Sequence, residues 1–480
     1  MKHEYDLIVI GAGTAGRTAA GLAVELSAKT LLVAEEADHE AGFCAGVLPG
    51  RILLHQSELA ALSREATYES ARVKFHEIRE KINSMAGRLP SLVERGVELE
   101  TGSASFRDAR TIAIRRSNGA IRNVTARYII IASASRPYIP AIPGIGDTPY
   151  LTNKPIFAQS DLPESMIIVG AGPAGTELAQ ACQRFGTAVS LVDMAHFILP
   201  LDPPEMTSIL QKKMEEEGVA FFLGCSPESV QGDEHRIIMR LRNQGKSMRL
   251  EAEKLCLATG CQVFPEELNL KKAGIRYNSN GVLVNTNCRT NLHHVYAVGE
   301  ITGRFQLTHM SDYMARVAVS NALLRRPVGM DTRAVPCVTY TQPEIAHVGA
   351  SREQLERSGV RFEIYRLPYS EIARAVTDDA DEGWIVVYAK KWSGRILGVD
   401  IIGKQAGELI SQFSLAMKHR ISLRKLADVI YPCPTYAHAT GRVAMQWYAK
   451  IRSYKLYRWI RRLFRFRGPI PDLENPDRII

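Results

Sequence analysis

Residues 6–23 read DLIVIGAGTAGRTAAGLA, and residues 165–182 repeat the pattern as SMIIVGAGPAGTELAQAC. Each copy is an apolar run of strand length, then GxGxxG, then a run of helix formers. The glycines are Gly11, Gly13 and Gly16 in the first copy and Gly170, Gly172 and Gly175 in the second. In such a motif the first glycine permits a tight turn, the second lets backbone approach a pyrophosphate, and the third lets the helix pack on the strand. The helix N-terminus then offers N–H groups and the positive end of its dipole to the phosphates. A lone GxGxxG is a weak signal, but a strand before, a helix after and a second copy supply the context it needs. The repeat predicts two dinucleotide-binding folds in one α/β chain.

The residues downstream of each motif bear on which nucleotide it takes. The second copy runs on into AVSLVD, a strand ending in Asp193. A carboxylate there accepts hydrogen bonds from an unphosphorylated ribose and repels a 2′-phosphate. No Arg or Lys comes directly after it, so the expectation is NADH rather than NADPH. The first copy is less regular. Its next strand reads TLLVAEE, so the position matching Asp193 falls on Ala34, and Glu35 comes one residue later. A shift of one residue changes the face of a strand. Glu35 reaches a ribose only if the strand ends early.

The rest of the chain restricts the reading. Its 480 residues are 46% apolar and 23% charged, a composition ordinary for a globular protein of two to four domains. No run approaches the length of a membrane-spanning helix, and MKHEYDLIVIGAG lacks the order of a signal peptide. The expected location is cytoplasmic. The cysteines are Cys44, Cys182, Cys225, Cys256, Cys261, Cys288, Cys337 and Cys433; none forms CxxC or a Cys/His cluster with metal-ligand spacing. Most read as small buried hydrophobes, and no metal site is expected. The net charge of +9 is local: setting aside the eight Lys and Arg between 450 and 467 leaves 52 basic residues of the 60, against 51 acidic.

Further landmarks stand in a telling order. ARYIIIASASRP (126–137) and EKLCLATG (253–260) have the form of strands that return the chain to each nucleotide. HHVYAVGEITG (293–303) and LTHMSDYMARVAVSNAL (307–323) come next, then VPCVTYTQPEIAHVG from 335 and ILGVDIIGKQAGELI from 396. This series resembles the pyridine nucleotide-disulphide oxidoreductases, such as lipoamide dehydrogenase, glutathione reductase and mercuric reductase, over roughly residues 4–440. The resemblance implies two Rossmann-like domains, for FAD and NAD, plus an α+β C-terminal dimerisation domain, and a homodimer. The expected limits are 1–155 with 286–334 for FAD, 156–285 for NAD, 335–445 for the interface and 446–480 for a basic tail. It also implies roles. Glu300 replaces the Asp that holds the flavin ribityl chain, and the helix beginning near Leu307 and Thr308 points its N-terminus at the flavin pyrimidine. Gly260 closes the strand-end segment beside the nicotinamide nucleotide. Glu177 matches the glutamate that pairs with a lysine beside the flavin, and Arg51 takes that lysine's place, so an Arg51–Glu177 ion pair is expected.

Two departures from the family pattern matter for function. Where the family has CxxxxCxPSK, this chain reads GFCAGVLPGR at 42–51: anchored on Gly42–Cys44 the second cysteine is gone, and anchored on Pro49–Arg51 neither family position holds cysteine and Cys44 falls between them. Where the family has HPTxSE, this chain reads CPTYAH at 433–438, so Cys433 stands for the acid–base histidine and His438 for the glutamate that orients it. Dithiol–disulfide exchange needs two adjacent thiols and a proton shuttle. A standard disulfide reductase is therefore excluded. Three readings remain. The first is an NADH oxidoreductase passing electrons from FAD to a small acceptor such as a quinone or a metal ion. The second is a thiol- or metal-reducing enzyme that uses Cys44 and Cys433 of opposite subunits. The third is a flavin-containing scaffold or redox-responsive binding module. His438 reads equally as a proton donor and as an interface residue, and Tyr431 and Tyr436 are candidate donors to an acceptor oxygen.

The tail, TGRVAMQWYAKIRSYKLYRWIRRLFRFR at 440–467, interleaves apolar and basic residues at helical spacing. A basic amphipathic helix with Trp and Phe suits an anionic membrane surface, here through residues 447–467 and at the membrane's inner face. Packing within the chain or on the dimer partner, or binding an acidic protein, are alternatives. Nucleic acid is not expected, because the remainder of the chain is neutral and carries no recognition module.

Overall fold

The computed structural model describes residues 3–35, 48–63, 67–70, 73–74, 77–78, 81, 89–152, 161–451 and 454–468. The chain divides into two compact units, Met1–Met194 with Val219–Met330 and Ala195–Gly218 with Asp331–Ile480.

The first unit is built on two mainly parallel sheets. It opens with β1 (Tyr5–Ile10), α1 (Thr14–Glu25) and β2 (Thr30–Ala34), followed by α2 (Leu48–Ser63), β3 (Glu98–Thr101) and β4 (Ile121–Ile131). The near-continuous apolar runs YDLIVI and TLLVA are buried almost throughout, as parallel strands covered on both faces must be. β1 pairs in parallel with β2 on one side and β4 on the other, and an antiparallel hairpin extends the sheet beyond β4. Ile8, Leu31 and Ile129 are fully buried in its core, each contributing roughly 2 kcal/mol relative to exposure.

The second sheet repeats the scheme with β5 (Ser165–Val169), α3 (Pro173–Arg184), β6 (Ala188–Asp193), β7 (Ala220–Leu223) and β8 (Lys254–Leu257), in the order β7-β6-β5-β8. The chain then returns to the first sheet. β9 (Val295–Ala297) pairs in parallel with β4, Ala297 opposite Ile131, and leads into α4 (Thr308–Ala322). α1 packs along α4, and α2 along α3.

The second unit is built on a five-stranded antiparallel sheet, β10 (Pro336–Thr339), β11 (Glu344–Gly349), β12 (Glu363–Pro368), β13 (Trp384–Ala389) and β14 (Ile396–Gly403), in the order β10-β11-β14-β13-β12. α5 (Ala406–Lys418) buries Ala406, Leu409, Ile410, Phe413 and Ala416, one helical stripe, and packs on β10, β11 and β14. α6 (His438–Ile451) and α7 (Tyr454–Leu463) complete the described chain. Trp447 corrects the expected limits of the surface tail. It is only 5% exposed, belongs to the core of this unit, and donates its indole N–H to the Lys391 carbonyl at 2.8 Å. Lys450 is also docked: its ammonium bonds the Ile364 carbonyl and lies over the Tyr365 ring. No helix among the described residues is long and apolar enough to cross a membrane.

Antiparallel register lines up a titratable row that the sequence did not announce, Cys337 opposite His347 and His347 opposite Asp400. His347 Nδ1 lies 3.2 Å from Asp202 Oδ1, and this carboxylate, aided by the Cys337 thiol, holds the imidazole pKa up to about 10. Asp400 is 4% exposed, and its Oδ2 has no hydrogen-bond partner among the described residues. Burial pushes its carboxyl up to about 6, against the Tyr388 hydroxyl and the His347 cation, which pull it down. A carboxyl whose folded pKa exceeds its unfolded value near 3.9 stabilises the fold while protonated and loses that contribution as pH rises through about 6. Asp400→Asn is therefore expected to unfold several degrees higher than wild type at pH 8, by about 3 kcal/mol, and to match it near pH 4. Thermal unfolding of both proteins across that range checks this; a difference that does not change with pH would refute it.

Candidate functional site

The two glycine turns have the same geometry. Gly11 and Gly170 adopt φ of +101° and +110°, and a Cβ on either would lie 2.5 or 2.4 Å from the carbonyl oxygen of Ala132 or Ala258. These are positions that side chains rarely tolerate. A Cβ on Gly16 or Gly175 would lie 1.8 Å from the carbonyl oxygen of Gly11 or Gly170, which is how closely each helix approaches its turn. Gly13 and Gly172 differ in kind. A Cβ there would meet nothing within 4 Å among the described residues. Each is the N-cap of its helix, and neither helix start has a side-chain cap. Open space over uncapped N–H groups fits a bound pyrophosphate, twice over. Gly260, at φ +94°, likewise has none of the described residues within 4 Å of a built Cβ.

The carboxylates beyond the turns are placed differently. Asp193 is the last residue of β6, and its Oδ2 accepts the Ala171 N–H at 2.6 Å, which holds it against the second glycine turn. Gly170 N donates to Val192 O as Gly11 N donates to Val33 O, so Ala34 is the counterpart of Asp193. β2 ends at Ala34. Glu35 is thus the first residue after the strand, exposed, and close enough to Arg136 to favour that guanidinium's charge.

At the end of β9 the chain turns through Gly299–Thr302. Glu300 Oε2 accepts the Ser135 N–H at 2.9 Å and the Ser135 hydroxyl at 2.5 Å. Sequence reasoning missed Ser135. Its signal was its place just past the end of β4, the strand that pairs with β9. Beside this turn α4 starts with Leu307 as N-cap and Thr308 as first residue, again without a side-chain cap. Its positive dipole end suits an electron-rich ring edge. Thr18 of α1 donates to Asp312 of α4 at 2.9 Å, and Asp312 also pairs with Arg316 at 2.5 Å, which fixes the two helices to each other.

The packing of α2 on α3 brings the Arg51 and Glu177 segments together. A Cβ on Gly50 would lie 3.7 Å from Glu177 Oε2, so the Glu177 carboxylate sits one residue from Arg51. Cys44 lies outside the described residues.

The remaining predicted residues are in the second unit. Cys433 is exposed. His438, half-buried, is the first residue of α6, and its backbone N–H donates to Thr435 Oγ1 at 3.2 Å. The two tyrosines are corrected. Tyr436 is buried and donates to Asp378 Oδ2 at 3.1 Å, while Tyr431 donates to the Leu426 carbonyl at 3.3 Å. Burial raises both phenol pKa values. These hydroxyls hold the chain and are not free for an acceptor. Of the other cysteines, Cys182, Cys225, Cys256 and Cys288 are buried as expected, whereas Cys261 is exposed.

Comparison with known proteins bears on the fold and the family. The sequence profile described as pyridine nucleotide-disulphide oxidoreductase matches residues 5–315, and the profile of that family's dimerisation domain matches 335–444. A dihydrolipoyl dehydrogenase from Bacillus subtilis is 28% identical over 469 residues, covering 93% of this chain and 98% of that protein. A mercuric reductase from Staphylococcus aureus is 26% identical, covering 92% of this chain and 82% of the other. Among solved structures, the Cu(II) complex of the HOCl-induced flavoprotein disulfide reductase RclA from Escherichia coli superposes with a TM-score of 0.83 at 21% identity, over 93% of this chain and 99% of that one.

Proposed function

The chain belongs to the pyridine nucleotide-disulphide oxidoreductases, flavoproteins that bind FAD and NAD(P)H and carry a dimerisation domain, and on that premise we propose that it passes electrons from NADH through FAD to a small diffusible acceptor, a quinone or an oxidised metal ion. The observation that carries this reading is a contrast. Open space over Gly13 and Gly172 at the two glycine turns suits nucleotide phosphates, while Cys433, exposed, is read in CPTYAH at the position of the family's proton-shuttling histidine. FAD, when bound, takes up the two electrons of the nicotinamide and releases them to the acceptor. The protein's part is to hold, orient and polarise. Gly172 and the start of α3 receive the nucleotide phosphates, and Asp193 receives the ribose hydroxyls and disfavours NADPH. Glu35 is offered to the other ribose, and Glu300 positions the ribityl chain with Ser135. The start of α4 stabilises negative charge on the flavin pyrimidine, and Arg51 with Glu177 lines the nicotinamide side. A mercuric reductase among the relatives supports a metal ion as one acceptor class.

Exposure of Cys433 favours one second reading, in which it meets Cys44 of the partner subunit as a redox pair. An anaerobic titration with NADH separates the two. One equivalent per FAD is expected to bleach the flavin fully, and a water-soluble quinone to restore it. A requirement for two equivalents, abolished by Cys433→Ser, would replace the first reading with the second. No reduction by either nucleotide would leave a flavin-containing scaffold.

A further inference from the structure

The last described helix, α7, is apolar on one side and cationic on the other. At 3.6 residues per turn Trp459, Ile460 and Leu463 fall within one arc of about 100°, with Arg458, Arg461 and Arg462 across the axis. Just beyond it Phe464 and Phe466 stack, ring centroids 5.7 Å apart, with Arg465 and Arg467 between and after them. Trp459, Leu463, Phe464 and Phe466 are 59, 56, 60 and 60% exposed, and the five arginines are exposed too. From 440 to 467 there is no acidic residue. Four large apolar side chains exposed between 459 and 466 are far from the ordinary run of isolated surface hydrophobes.

We propose that α7 and residues 464–467 dock the protein on an anionic lipid surface, the aromatic side chains entering the acyl boundary and the arginines meeting the headgroups. Charge complementarity selects the partner, since five cations in a segment without acids call for an anionic one. The apolar arc selects a membrane over a nucleic acid, whose phosphates would satisfy the arginines and leave the leucine uncovered. Helices with a cationic face and a Trp/Phe/Leu face lie in the membrane interface in this way. The structure also sets the boundary. Trp447 and Lys450 are engaged in the second unit, so the docking segment begins after α6. Docking does not depend on the proposed electron acceptor, although a bound membrane would bring a lipid-soluble quinone within reach.

The test is co-sedimentation of the purified full-length FAD-bound protein with vesicles of pure phosphatidylcholine and of phosphatidylcholine with about one-third phosphatidylglycerol, at ~0.1 M salt. Each basic residue near such a surface tightens binding on the order of fivefold, so at least tenfold stronger partition into the anionic vesicles is expected, with a blue shift of Trp459 emission. The quadruple variant Trp459→Ser, Leu463→Ser, Phe464→Ser, Phe466→Ser should lose about tenfold or more while oxidising NADH with a soluble acceptor as wild type does. Equal partition into both vesicles overturns the proposal, as does retention on RNA without vesicle binding. So does a Trp459 shielded from acrylamide in the vesicle-free homodimer, which would mean that the arc is covered by a second copy. Should the variant not fold, the wild-type comparison and the Trp459 quenching decide alone.

Discussion

Gly172→Val is expected to lower kcat/KM for NADH by about 100-fold or more, with FAD still bound and the fold intact. The reason lies in what surrounds that residue. Its φ of −73° and ψ of −177° suit a β-branched side chain, and a Cβ meets no atom of the described residues within 4 Å. Substitution at an N-cap without a side-chain bond costs the fold about 1 kcal/mol or less. The new side chain therefore enters the space where, on the proposed function, backbone approaches a pyrophosphate. Gly170→Ala makes the contrast. There a Cβ would lie 2.4 Å from the Ala258 carbonyl oxygen at φ +110°, so stability and nucleotide binding should fall together. Steady-state kinetics, flavin content and thermal unfolding of the two variants distinguish lost cofactor space from a distorted turn. A Gly172→Val enzyme with unchanged kinetics would remove the second cradle from the proposed site.

The parts of the site that were legible in the sequence are those fixed within one strand–turn–helix unit. Gly16 and Gly175 can be read in the chain because the carbonyl oxygen of Gly11 or Gly170, five residues back, leaves no room for a side chain, and Gly11 and Gly170 because the turn itself takes φ of +101° and +110°. Ala34 could be matched to Asp193 by counting, and the paired bonds Gly11 N to Val33 O and Gly170 N to Val192 O give that count its physical form. What was not legible depends on distant pairing. Ser135 and Glu300 are 165 residues apart and meet only because β4 and β9 run side by side. Cys337, His347 and Asp400 form a row only through antiparallel register. Tyr436 looks available in CPTYAH, but Asp378, 58 residues upstream, engages it. Trp447 shows the limit of periodicity. The spacing that marks a helix's apolar face is the same whether that face meets a core or a lipid surface, and the Lys391 carbonyl that decides it is 56 residues away.

Asp193→Ser should erase most of a strong preference for NADH. In the wild type we expect kcat/KM to favour NADH over NADPH by about 100-fold or more. The Asp193 carboxylate is held by the Ala171 N–H on the glycine turn, where an adenosine ribose would rest, and Met194 and Ala195 come after it without a compensating cation. A 2′-phosphate about 5 Å from that carboxylate, at an effective dielectric constant near 20, would be repelled by about 3 kcal/mol per unit of charge, which corresponds to about 100-fold. Serine removes the charge yet still offers the ribose hydroxyls a partner. NADH should therefore weaken by roughly tenfold while NADPH improves, closing the ratio to within about tenfold. The two nucleotides respond in opposite directions, which separates this from damage to the turn, where both would worsen. Rapid-reaction measurement of flavin reduction by each nucleotide, wild type against variant, gives the ratio directly. A wild type indifferent to the 2′-phosphate would mean that the ribose does not lie against Asp193, and the assignment of β6 to nucleotide selection would fall with it.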